Sequence, residues 1–244
     1  QMIEGEKLGS FWGYTFAGVW QEDDVNAPFV DANGQTNGKT NGEVYKVKPG
    51  NSKYVDVNKD GVYNDADQGI IGCGQPTFNW GWNNTFNYKN FDFSFFVVGF
   101  HGFDIYNATH QMGYNLIKSQ QMAGVTPMRE LLNRWTPTNT NTDIPGFVKG
   151  GTENKDFFST RFVENGSFIK MKSITLGYTL PEATCRSLGI NNLRVYASVQ
   201  NPFHITKYSG LDPEATMGSP LVQGVDWGAY PNSRNYLIGL NFSF

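Results

Sequence analysis

The run Tyr236-Leu237-Ile238-Gly239-Leu240-Asn241-Phe242-Ser243-Phe244 decides the fold class. Successive side chains of a strand point to opposite faces. Tyr236, Ile238, Leu240, Phe242 and Phe244 therefore share one face, and Leu237, Gly239, Asn241 and Ser243 the other. The first face is wholly apolar or aromatic; the second is small or polar except for Leu237. A transmembrane β-barrel strand has this pattern, apolar toward lipid and polar toward the lumen, with aromatics at the interface. A soluble sandwich strand alternates in the same way, so the reading turns on how many other segments agree.

Several do. From Thr77 to Tyr88, Phe78, Trp80, Trp82, Phe86 and Tyr88 alternate with Thr77, Asn79, Gly81, Asn83, Thr85 and Asn87, and Asn84 is the one polar residue on the aromatic face. After Lys89-Asn90, the segment Phe91–Phe100 sets Phe91, Phe93, Phe95 and Val97 against Asp92 and Ser94. Two such runs around a two-residue break predict a β-hairpin. Phe168–Leu180 places Ile174, Leu176, Tyr178 and Leu180 on one face, with Lys170 and Lys172 on that same face by parity. Leu193–Asn201 sets Leu193, Val195, Ala197 and Val199 against Arg194, Tyr196, Ser198 and Gln200. Phe11–Trp20 is strand-like but ambiguous in face. About six strands result, each near the roughly 9–11 residues that a tilted strand needs to cross a bilayer.

The connections alternate long and short: 21–76, the turn at Lys89-Asn90, 101–167, 181–192 and 202–235. Outer-membrane barrels join their strands by short periplasmic turns and long extracellular loops, so 21–76, 101–167 and 202–235 are expected outside the cell and Phe244 at the periplasmic face. Lys170 and Lys172 then fall toward the outer leaflet, where they are expected to snorkel to lipid phosphates. Six strands are too few to close a barrel, because the smallest have eight, and an open sheet in lipid leaves edge N–H and C=O groups unpaired. The expectation is an all-β chain forming about six antiparallel strands of the C-terminal portion of a larger transmembrane β-barrel.

Composition narrows the alternatives. Net charge is -3 with Lys and Arg scattered, which gives no basic patch for nucleic acid. No segment approaches the roughly 18 apolar residues of a transmembrane helix. The chain opens on a polar stretch without a signal-peptide pattern, so an exported protein would begin upstream of Gln1. Cys73 and Cys185 show neither a disulfide framework nor metal spacing and are expected unpaired. His101, His110 and His204 are too dispersed for a cluster. Glu22-Asp23-Asp24 is read as a solvated face rather than an acid/base pair.

One loop carries metal-ligand spacing. Asp56, Asn58, Asp60, Gly61, the Val62 carbonyl, Asn64 and Asp67 occupy positions 1, 3, 5, 6, 7, 9 and 12 of an EF-hand loop, in which oxygen ligands converge around the sharp turn that Gly permits. Asp67 replaces the usual Glu at position 12 and shortens that ligand's reach. A structural Ca²⁺ in an extracellular loop is expected, against the alternative of an acidic turn that needs no ion.

Thr126–Trp135 reads as a short helix with Thr126 as N-cap and Pro127 at its first position. The loop aromatics Phe103, Tyr106, Trp135, Tyr208, Trp227 and Tyr230 are candidates for contact with ligand or partner. Loops this long also need cores of their own.

Gly5-Glu-Lys-Leu-Gly-Ser-Phe-Trp-Gly-Tyr14, Tyr54-Val-Asp-Val-Asn-Lys-Asp-Gly61 with Ile71-Gly72 and Pro76, and Arg134-Trp-Thr-Pro137 come in order. Arg161-Phe-Val-Glu-Asn-Gly-Ser-Phe168, Leu176-Gly-Tyr-Thr-Leu-Pro181 and Gln200-Asn201 follow. Lys207-Tyr-Ser-Gly-Leu-Asp-Pro-Glu214, Tyr230-Pro231, Arg234 and the Gly239-Leu-Asn-Phe ending complete the set. Together these stretches resemble the C-terminal barrel region of the SusC/RagA family of TonB-dependent outer-membrane transporters. The resemblance implies a large barrel in the outer membrane of a Gram-negative cell, with a plug and a TonB-binding segment that this chain lacks. It also implies a SusD-like surface lipoprotein as lid and import of oligosaccharides, with peptides second. It implies no enzyme. The competing reading is a soluble, calcium-stabilised β-sandwich that grips glycan; a glycan-cleaving enzyme lacks a credible carboxylate pair.

Overall fold

A computed structural model describes residues 4–114, 128–146, 157–187, 189–217 and 223–244. The chain forms two compact units.

The first draws on Gln1–Cys73, Tyr106–Val163 and Val225–Gly228. It contains β1 (Ser10–Tyr14), β2 (Phe16–Val19), α1 (Glu22–Asn26), β3 (Pro28–Val30), β4 (Thr36–Thr40), α2 (Asn41–Tyr45), β5 (Ser52–Tyr54) and β6 (Gln68–Cys73). β1 pairs with β6, β2 with β5 and β3 with β4, all antiparallel. Phe11–Trp20, expected as one of about six strands though ambiguous in face, thus does not join the long sheet. It divides into β1 and β2, and in β1 Ser10, Phe11, Gly13 and Tyr14 are all buried. Adjacent apolar pairs, Phe11-Trp12 and Val19-Trp20, put apolar groups on both faces, as a strand inside a folded unit requires and a lipid–lumen strand does not. The core gathers Phe11, Tyr106, Ala108 and Phe162, with Phe158 stacked on Tyr106 at 3.8 Å between ring centroids.

The second unit, Gly74–Ile105, Glu164–Gly224 and Ala229–Phe244, holds β7 (Phe78–Tyr88) and β8 (Phe91–His101). After β9 (Asp104–Asn107), α3 (Ala108–Tyr114) and β10 (Val163–Asn165), the chain continues into β11 (Phe168–Thr179), α4 (Glu182–Ser187), β12 (Asn192–Gln200) and β13 (His204–Thr206). β14 (Val225–Asp226) and β15 (Asn235–Ser243) complete the order. Five long strands form one antiparallel sheet in the order β15-β12-β11-β8-β7, and β13 pairs with the start of β11. The expected six strands become five long ones and this short addition. β7 and β8 form the expected hairpin, with Tyr88 opposite Phe91. Lys89 takes the left-handed conformation that such a turn needs, at φ 52°.

Register aligns the apolar sets into continuous rows. Leu240, Val195, Tyr178, Phe91 and Tyr88 are successive cross-strand partners, as are Ile238, Ala197, Leu176, Phe93 and Phe86. The next row, Tyr236, Val199, Ile174, Phe95 and Asn84, ends on the single polar member. This face is exposed: Ile238 retains 81%, Tyr236 75%, Tyr88 71% and Phe86 55% of its accessible surface. The opposite face reads Gly239, Tyr196, Gly177, Asp92 and Asn87, then Leu237, Ser198, Thr175, Ser94 and Thr85. An apolar face this wide and open to its surroundings, backed by a polar one, is the layout of a sheet with lipid on one side and a lumen on the other. Among the described residues, no helix is long and apolar enough to cross a membrane.

Candidate functional site

The polar face is built by cross-strand chemistry. Arg194 on β12 reaches over β11 to Asp92 on β8, its Nε 2.9 Å from Asp92 Oδ1, and its Nη2 donates to Oδ2 as a second bond. Gly177 lies between them, and a Cβ there would overlap both the carboxylate and the guanidinium. Tyr196 spreads its ring over Gly239 in the same manner, with the Arg194 guanidinium 4.9 Å from the ring centroid. Thr175 Oγ1 and Ser198 Oγ are 2.8 Å apart in the next row.

Nearer the start of β11, parity fails. The β8–β11 register shifts between Met171 and Ser173, so Lys172 is the extra residue of a β-bulge, which exchanges the faces of the residues on either side. Lys170 consequently does not share the lipid face with Ile174, and the expected snorkelling to lipid is corrected. Its Nζ lies 2.8 Å from Asp212 Oδ2 and 2.7 Å from Glu214 Oε2. Lys172 pairs with the other oxygen of Glu214. Asn232 closes the network, donating its backbone N–H to Asp212 at 3.1 Å and its amide to Glu214 at 2.9 Å. Burial pushes the Asp212 and Glu214 carboxyls up, but hydrogen bonds from Lys170, joined by Asn232 at Asp212 and Lys172 at Glu214, outweigh it and hold both below their ordinary values. Val98, Phe103, Ile105, Phe168 and Tyr208 form an apolar core in the same unit. Phe100, Lys172, Glu214, Tyr230 and Asn232 line a cleft of about 650 Å³ beside it. Sequence reading missed this cluster, although its signal was present: ionisable residues in a membrane-spanning strand face the interior and find partners.

The six aromatic candidates separate by burial. Phe103 (2% exposed), Tyr106 (0%) and Tyr208 (5%) are core residues of their own units. Trp135 packs over Gly50 and donates its indole N–H to Gln21 Oε1 at 2.9 Å. Trp227 (65%) and Tyr230 (89%) remain open. Of the expected helix Thr126–Trp135, Thr126 and Pro127 lie outside the described residues. Arg129–Asn133 is a 3₁₀ helix, and no side chain caps it. Among the described residues neither Cys73 nor Cys185 is in a disulfide; their thiols donate to the carbonyls of Leu8 at 3.8 Å and Leu180 at 3.7 Å.

In the EF-hand-like loop, Asp56 Oδ2 accepts from Gly61 N–H at 2.8 Å, Asn58 Oδ1 from Asp60 N–H at 3.1 Å, Asp60 Oδ1 from Val62 N–H at 2.8 Å and Asn64 Oδ1 from Ala66 N–H at 2.8 Å. Asp67 accepts from Val57 N–H at 2.8 Å and Asn64 N–H at 3.0 Å. The Val62 N–H bond, with the Asn58 and Asn64 amides, holds the Asp60 carboxyl below its ordinary value. Tyr45 donates its hydroxyl to Asp56 Oδ2 at 2.8 Å and stacks on Tyr63 at 5.1 Å; burial pushes the Tyr63 phenol up to about 12. Among the described residues, no three His, Cys, Asp or Glu side chains gather closely enough to form a metal site by themselves.

Comparison with known proteins supplies the family. No family model matches the chain. It is 35% identical over 247 residues to TonB-dependent receptor P3 of Formosa agariphila, covering 99% of this chain and 22% of that protein. It is 32% identical over 199 residues to TonB-dependent receptor SusC of Bacteroides thetaiotaomicron, covering 81% of this chain and 18% of that one. A solved structure of the RagAB peptide importer in its closed-closed state matches with a TM-score of 0.68 at 23% identity, covering all of this chain and 25% of that chain. The chain thus spans about a fifth of the curated relatives it matches. Receptor names on these relatives, together with the two-faced sheet, leave the soluble sandwich and the glycan-cleaving enzyme without support. The chain belongs to the SusC/RagA family of TonB-dependent outer-membrane receptors and forms part of their β-barrel.

Proposed function

We propose that this chain is a wall-and-loop portion of an importer that carries oligosaccharides across the outer membrane, with peptides as the second candidate cargo. The observation that carries the proposal is the five-strand sheet, whose exposed apolar rows back directly onto polar, ion-paired ones. Lipid meets the first face, and ligand passes along the second. Residues 21–76, 101–167 and 202–235 lie on the extracellular side in this account, where Trp227 and Tyr230 offer accessible ring faces to sugar or to a lid. The edges β7 and β15 are taken up by neighbouring strands of the remaining barrel, since unpaired backbone in lipid costs several kcal/mol per group. A plug, the TonB system and a SusD-like surface lipoprotein act with it from outside this chain. Peptide stays in view because the fold likeness is to a structure described as a peptide transporter.

Affinity purification of the tagged full-length protein from detergent-solubilised outer membranes, followed by mass spectrometry, tests the assembly. The expected result is a surface lipoprotein in near-equal amount, with uptake of a labelled oligosaccharide pool lost on deletion of the receptor gene. A protein recovered in the soluble fraction without detergent would overturn the proposal. Uptake of labelled peptides alone would replace the cargo.

A further inference from the structure

We propose that the loop from Asp56 to Asp67 is a Ca²⁺ site whose occupancy fixes the aromatic wall formed by Tyr45 and Tyr63. Two observations beyond the ligand spacing point to a cation. First, Asp56 Oδ1 is buried and accepts no hydrogen bond, while its sister oxygen is held by Tyr45 and Gly61. A buried carboxylate oxygen left without a partner carries the desolvation cost of an unmade, charged hydrogen bond. Second, Asp67 is only 3% exposed, and neither it nor Asp56 nor Asp60 appears in any ion pair among the described residues. Buried charges are ordinarily paired with an opposite charge or coordinate a metal.

The present hydrogen bonds show what the ion would displace. The Nδ2 atoms of Asn58 and Asn64 both donate to Asp60 Oδ2, at 2.9 and 3.1 Å. Two weakly positive amide groups thus converge on the carboxylate oxygen that position 5 of an EF-hand loop turns to its ion. With Ca²⁺ between them, the amides turn their oxygens inward, and three carboxylates, two amide oxygens and the Val62 carbonyl supply six oxygen ligands. A hard cation of that size takes six to eight; Mg²⁺ demands stricter octahedral geometry and is expected to bind more weakly here. The gain passes to Tyr45 through its bond to Asp56 and to Tyr63 through ring stacking. Both rings line a cavity of about 410 Å³ with Tyr54 and Phe157.

The test is calorimetric titration of the chelator-stripped full-length protein with CaCl₂, comparing wild type with Asp60→Ala and Asp65→Ala. Asp60 is exposed, so its removal leaves the fold intact. Asp65 lies in the same loop but outside the ligand set, its Oδ1 accepting from Gln68 at 3.1 Å. The expected result is loss of one Ca²⁺ per chain, or at least about tenfold weaker binding, in Asp60→Ala only. Tryptic cleavage after Lys59 is expected to slow in Ca²⁺ relative to chelator and relative to Mg²⁺. Equal titrations for wild type and Asp60→Ala would overturn the proposal, and so would equal loss in Asp65→Ala.

Discussion

Lys170 Nζ lies 2.8 Å from Asp212 Oδ2, and the two side chains keep 2% and 4% of their accessible surface. The pair ties the segment after β13 to the inner face of β11, with Glu214, Lys172 and Asn232 completing its hydrogen bonds. Removing one member of a buried pair strands the other's charge, whereas an apolar replacement of both need not. Asp212→Ala is expected to destabilise the docked segment by roughly 3 kcal/mol, the lower end for such pairs because Glu214 still engages Lys170. Faster hydrogen exchange in residues 204–214, with the strands of the sheet unchanged, is the measurement.

Acid should release the same segment. Asp212 and Glu214 titrate below their ordinary values of 3.8 and 4.5 in the folded protein. A depressed folded pKa contributes stability that is fully present above the unfolded pKa and is lost as pH falls through the folded one. Exchange protection of residues 204–214, corrected for intrinsic rate, is expected to hold at pH 6 and to fall as pH drops below about 4. Protection unchanged down to pH 3 would contradict the network.

Gly177 is a glycine because Arg194 and Asp92 meet above it. Gly177→Val forces that pair apart and is expected to cost about 1–3 kcal/mol, the usual range for overpacking. In the Arg194→Ala background the same substitution should cost clearly less, since the side chain it displaces is gone. Urea unfolding of the four variants in lipid checks the coupling.

The two faces of β15 should respond oppositely to charge. Leu240→Arg puts a guanidinium into the lipid-facing row and is expected to cost about 2–4 kcal/mol if that row sits near the bilayer midplane. Asn241→Arg, one residue along, faces the polar side and should cost little. Folding yield into lipid vesicles distinguishes the pair.

Much of this was legible in sequence wherever period two ran without interruption. Tyr236–Phe244, Leu193–Gln200 and the hairpin around Lys89-Asn90 kept their faces because their registers contain no shift. Lys170 did not, since a bulge adds one residue without altering composition, and no alternation count detects it. Phe11–Trp20 was misplaced for a different reason: apolar residues on both faces fit a buried strand, and strand periodicity is silent on which sheet receives it. The loop aromatics Phe103, Tyr106 and Tyr208 entered cores that depend on contacts between segments far apart in the chain, such as Tyr106 with Phe11 and Phe158. The Asp56–Asp67 loop was readable in its turns because Asn58, Asp60 and Asn64 each accept from the backbone N–H two residues on, a local geometry that spacing encodes.

Site-directed spin labelling of the full-length protein in outer-membrane vesicles, one position at a time from 236 to 243, tests the central claim most directly. The account predicts a period of two, with positions 236, 238, 240 and 242 accessible to oxygen dissolved in lipid and positions 237, 239, 241 and 243 accessible to a water-soluble nickel reagent. Uniform access of the nickel reagent to all eight positions, or the reverse alternation, would contradict it.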